Sequence, residues 1–116
     1  MIRVKVERDR RGRIRRLKVS GHAGWSEAGH DIVCAAVSAL TLNLVNSCQS
    51  LLGVSLPATA RNGFLDLDVP PDLPDEVSDK VQLLLESCVF GLWQTAVQYR
   101  HHITMSGEVK GRWNAC

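Results

Sequence analysis

The chain has no C-x-x-C pair. Its four cysteines, at positions 34, 48, 88 and 116, match neither zinc-ribbon spacing nor the paired pattern of a disulfide framework, so no structural metal is implied and reduced thiols are expected. An uninterrupted apolar run of about 18 residues is also missing, which argues against a membrane span. The opening Met1-Ile2-Arg3-Val4-Lys5 alternates apolar and basic residues instead of building the apolar stretch of a signal peptide. These absences together predict a cytoplasmic location. Proline is scarce, with three of the four residues gathered at 70, 71 and 74, so a single region is marked as a break between elements.

What remains is an ordinary globular composition. Of the 116 residues, 45% are apolar and 22% charged, enough to bury one core and too short for two, so a single domain over 1–116 is expected. Charge is segregated: nine of the 14 Lys and Arg residues fall within the first 18 positions, beside only Glu7 and Asp9, and the remainder is net acidic. Such a basic end suits RNA or an acidic protein surface, or else a solvated hairpin whose outward positions are cationic.

Ile2, Val4 and Val6 alternate with Arg3, Lys5 and Glu7, which predicts a strand over 1–7 with one wet face. After turn chemistry at 8–12, Ile14, Leu17 and Val19 form a second strand. Their change of parity predicts a bulge near Arg15-Arg16. Three-four spacing from Ile32 to Leu52 predicts a mostly buried helix closed by Gly53, with Cys34 about one turn in and Cys48 on its core stripe. Segments 57–61 and 64–69 read as a hairpin turning at Asn62-Gly63. A second helix, capped by Asp72 or Asp75, runs to about Tyr99 with Val77, Val81, Leu84, Leu85, Cys88, Val89, Trp93 and Ala96 inward. A last strand over 102–109 precedes a polar tail. The order β-β-α-β-β-α-β predicts an α+β fold, a largely antiparallel sheet of about five strands with two long helices on one face.

The chemistry concentrates where the glycine-punctuated segment Gly21-His22-Ala23-Gly24-Trp25-Ser26-Glu27-Ala28-Gly29-His30-Asp31 runs into the first helix. A thiol near a helix start lies close to unpaired N–H groups and the positive end of the helix dipole, both of which favour thiolate. Cys34 is thus a candidate nucleophile, with His30 at i−4, Asp31 at i−3 and Ser38 at i+4 on a shared face. Three readings of His22 stand side by side: general base for Cys34, metal ligand beside His30 and Cys34, or a loop residue making a structural hydrogen bond. Nothing else in the chain completes a zinc signature. The glycines at 21, 24 and 29 suit a segment that folds over bound peptide.

Gly21-His22-Ala23, Gly29-His30-Asp31-Ile32-Val33-Cys34-Ala35 and Ser38-Ala39, together with the basic opening hairpin and the chain length, resemble the ribosomal-processing cysteine protease family, Prp. The specific motif occupies 21–39, and the second half fits by element pattern. The resemblance implies a His22–Cys34 catalytic dyad, with Asp31 and Ser38 also at motif positions and Gly21 and His30 supporting the site. It further implies a cytoplasmic homodimer that needs no cofactor or metal. Its implied reaction is removal of a short N-terminal extension from the large-subunit ribosomal protein numbered twenty-seven. The contrasting expectation is a non-catalytic, ribosome-associated RNA-binding domain that uses the arginines of the first hairpin.

Overall fold

A computed structural model describes residues 1–21, 28–61 and 64–107, with side chains in the first helix described from Ile32 onward. The elements are β1 (Ile2–Arg8), β2 (Ile14–Ser20), α1 (Ala28–Leu52), β3 (Ala58–Arg61), β4 (Phe64–Asp68), α2 (Asp75–Gln98) and β5 (Ile103–Gly107). The strands form one sheet in the order β3-β4-β2-β1-β5. All neighbours are antiparallel except β1 and β5, which run parallel, as the long crossover through α2 permits. The sheet is therefore mixed, and the expected α+β class and element order hold.

Period-two alternation does what physics requires of a sheet with one dry face. Ile2, Val4, Val6, Leu17, Val19, Leu65, Leu67 and Ile103 turn inward and are buried. They meet Val33, Val37, Leu44 and Cys48 of α1 and Val81, Leu85, Cys88, Val89 and Leu92 of α2 in a single core. The parity change in β2 is a bulge: Arg16 pairs with Glu7 and Ile14 with Arg8, which leaves Arg15 as the extra residue. β3 and β4 pair through Arg61 and Phe64, as a two-residue turn requires; Asn62 and Gly63 themselves lie outside the described residues.

Three sequence expectations shift. α1 starts at Ala28, four residues earlier than Ile32. The N-cap of α2 is Pro74, with no side-chain capping bond, so neither Asp72 nor Asp75 caps it; Asp75 and Glu76 occupy the first turn, where their charge suits the dipole. Leu92 and Gln82 are buried on α2 although only the neighbouring apolar positions were expected. Gln82 is a bracket, not a stray polar group: its Nε2 donates to the Ile14 carbonyl and its Oε1 accepts from the Ile14 N–H, both at 2.8 Å. Ile14 has strand partners on one side only at the bulged end of β2, and the amide satisfies both of its backbone groups.

Ile32–Leu52 is long and apolar enough, with mean hydropathy 1.5, to cross a membrane by length and composition. It is not the mostly buried helix expected: 22% of the span is buried, Val33, Val37, Leu44 and Cys48 join the core, and Ile32, Leu42 and Leu51 are exposed.

Candidate active site

Cys34 is partly buried and touches the edge of the core, whereas Cys48 and Cys88 are buried within it. Among the described residues it is the cysteine that reaches solvent. Desolvation raises the Cys48 thiol pKa, and the Cys88 thiol is pushed up to about 12, by desolvation first and by neighbouring Cys48 second. Cys88 also donates a hydrogen bond to the Leu40 carbonyl at 3.6 Å. Those two thiols are held in the protonated, inert form expected of buried cysteine.

The earlier start of α1 changes the helix-end argument. Cys34 is the seventh helical residue, so it lies in the second turn and not about one turn in. Its own N–H is within the repeating i→i−4 pattern, and the N–H groups of α1 without a partner inside the helix are those of residues 28–30. Because Cα–Cβ bonds tilt towards the helix N-terminus, the Cys34 side chain still leans over that first turn.

Ser38 stands one turn beyond Cys34 on the same face and is exposed. Its carbonyl, with that of Val37, accepts from the Thr41 hydroxyl, at 3.2 and 2.9 Å. His30 and Asp31 are in α1 at i−4 and i−3 from Cys34, and their side chains lie outside the described residues. His22, Trp25 and the rest of 22–27 also lie outside them, as does any closure of that segment over peptide.

Gly21 is described and shows why glycine stands there. Its φ is +95°, and a Cβ would collide with the Met1 carbonyl oxygen, so β2 can leave the sheet at this point only with no side chain. Sequence reasoning gave Gly21 conformational freedom, but the approach of Met1 across the sheet had no local signal. Two clefts of about 550 and 520 Å³ lie elsewhere, between α2 and β5 beside Trp93 and Met105, and between the first hairpin and α2 beside Arg13 and Gln82; Cys34 lines neither. No cluster able to hold a metal occurs among the described residues.

The first hairpin is less freely cationic than its sequence implied. Arg8 forms a two-pronged pair with Glu86, Arg13 reaches Asp79 at 3.2 Å, Arg15 reaches Glu7 at 2.9 Å and Arg16 binds both oxygens of Asp66.

A solvent-reaching thiol on the first helix of a two-layer α+β domain is a candidate nucleophile, and comparison with known proteins gives it a class, the cysteine proteases. The family model described as "Cysteine protease Prp" matches residues 1–104. The ribosomal processing cysteine protease Prp of Bacillus subtilis is 28% identical over 111 residues, covering 94% of this chain and 99% of its own. The Staphylococcus aureus protein of the same name is 27% identical over 108 residues, covering 91% and 98%. Among solved structures, a Streptococcus mutans protein is similar with a TM-score of 0.80 at 32% identity, covering 92% of this chain and 93% of that one. The S. aureus protease Prp in complex with a substrate peptide has a TM-score of 0.80 at 25% identity, covering 93% and 100%. The chain belongs to the Prp family of cysteine proteases.

Proposed function

We propose that this chain is the endopeptidase that removes the N-terminal extension of the large-subunit ribosomal protein numbered twenty-seven. The observation that carries the reading is a near full-length likeness to ribosomal-processing proteases, one of them solved with a substrate peptide, in a chain whose one solvent-reaching described cysteine falls at the family's motif. Cys34 is the nucleophile. His22 takes its proton, and the thiolate attacks the scissile carbonyl to form a tetrahedral oxyanion. The N–H groups of residues 28–30, which have no partner inside α1, are the donors for that oxyanion. Collapse of the intermediate expels the amine, protonated by His22, and water then hydrolyses the thioester to release the extension. Gly21 sets the point where the site segment leaves the sheet, while Asp31, Ser38 and His30 orient the histidine or hold the peptide backbone. The enzyme works in the cytoplasm as a homodimer.

Wild-type, Cys34→Ser and His22→Ala proteins incubated with the precursor peptide, followed by mass measurement, test this reading. Cleavage should disappear with Cys34→Ser. With His22→Ala, residual cleavage should lose its acid limb in the pH profile. Normal cleavage by Cys34→Ser would overturn the nucleophile assignment.

A further inference from the structure

Among the described residues no helix covers the outer face of the sheet, and its charges are sorted along the strands. At the end near the first turn, Glu7, Asp66 and Asp68 are matched by Arg15 and Arg16. At the opposite end, where Ser20 leads into Gly21, a row crosses four strands by register: Arg61 beside Phe64, Phe64 beside Ser20, Ser20 beside Arg3. The next row inward adds Lys18 and Lys5, side by side in register. The acids that face this end are Asp66, towards which Lys18 is also drawn, and Glu7, 4.0 Å from Lys5. Cations therefore exceed acids where the chain leaves the sheet for the catalytic motif.

Phe64 is the odd residue in that row. An apolar ring on a solvated, charged face gains little from the core, yet it has cations beside it, with Arg61 4.6 Å and Lys18 5.8 Å from its centre. Two cations flanking an aromatic ring on an open sheet offer both components that single-stranded nucleic acid needs, neutralisation of its phosphates and a planar surface for a base. A row spanning three inter-strand gaps is about 14 Å long, which fits a polymer better than a lone anion. An acidic peptide would use the cations but leave the ring without a role.

We propose that this end of the exposed sheet face binds single-stranded RNA, with Arg3, Lys5, Lys18 and Arg61 contacting phosphates and Phe64, with the Arg61 guanidinium, stacking on a base. This places the RNA surface on the sheet and not on the arginines of the hairpin turn, and it holds whether or not Cys34 is the nucleophile. Fluorescence anisotropy with a labelled short oligouridylate, using the full chain across a salt series, tests it. Four phosphate contacts predict a log–log salt slope of about −3. Arg3→Gln with Arg61→Gln should weaken binding about tenfold and flatten the slope by about 1.4. Phe64→Leu should weaken it about fivefold with the slope unchanged. Arg10→Gln with Arg11→Gln should bind like wild type. Unaltered binding by the Arg3 and Arg61 variant, or loss confined to the Arg10 and Arg11 variant, would overturn the proposal. Competition by polyglutamate equal to that of unlabelled oligouridylate, with Phe64→Leu silent, would reassign the face to an acidic protein. The arginine variants change exposed side chains, so they decide the matter even if Phe64→Leu fails to fold.

Discussion

Gly21 carries two constraints at a single Cα, a left-handed backbone and a Met1 carbonyl oxygen that overlaps the position a Cβ would take. The conformational part alone costs a substituted residue about 1–2 kcal/mol, and the collision adds to it. Gly21→Ala should therefore lower the melting temperature and displace the start of the site segment, so cleavage should fall further than stability does at a temperature where the variant stays folded. Thermal unfolding and peptide cleavage measured side by side check both. At the thiols, in a Cys116→Ser background, one equivalent of Ellman's reagent should label Cys34 rapidly, with Cys48 and Cys88 reacting only on unfolding; peptide mapping of the label decides it. Gln82→Leu should cost about 2–3 kcal/mol in denaturant unfolding, because it strands both backbone groups of Ile14 at the bulge. Asp66 is held below its ordinary pKa, chiefly by the hydrogen bond from Arg16. A depressed carboxylate contributes stability above its unfolded pKa and loses it as pH falls through the folded value, so Asp66→Asn should flatten part of the acid limb of stability.

Element by element, α1 and α2 meet at a close contact. A Cβ on Gly91 would lie 2.8 Å from a terminal methyl of Leu40, so α2 approaches α1 with no side chain between them there. Gly91→Val should push the helices apart and destabilise the fold. Adding Leu40→Ala should recover part of the loss, and a double-mutant cycle should give a coupling of about 1 kcal/mol. None of this packing was legible in the sequence, because the meeting of Gly91 with Leu40 joins residues on two different helices. The stripes themselves were legible because burial imposes their period: Val33, Val37, Leu44 and Cys48, then Val81, Leu85, Cys88 and Val89, all fall where three-four spacing put them. The bulge at Arg15 was legible too, since a single extra residue reverses side-chain parity. The start of α1 was not. Ala28-Gly29-His30-Asp31 carries no apolar period, and its helicity follows from continuity with the turn below it. For the site, Cys34 and Ser38 could be placed on one helix face from their spacing. The meeting of Gly21 with Met1 could not, because it depends on two strands lying edge to edge.

For the molecule as a whole, charge and titration both have a direction. Hairpin arginines reach across to the acids of α2 through Arg8–Glu86 and Arg13–Asp79, tying the first two strands to the second helix. The raised Cys88 thiol keeps its proton when folded, so its contribution is intact below the ordinary thiol pKa and declines as pH rises from about 9 towards about 12. Stability measured by circular dichroism across that window should fall, and Cys88→Ala should lessen the fall. β1 lies inside the sheet, bonded on one side to β2 and on the other to β5, a strand about a hundred residues further along. Pairings so distant in sequence form late and slowly. A nascent chain halted before residue 103 has the motif cysteine and both helices but leaves one edge of β1 bare. The hydrolase is thus expected to mature only after its fifth strand has emerged from the ribosome, which separates the synthesis of the enzyme in time from its first act of cleavage.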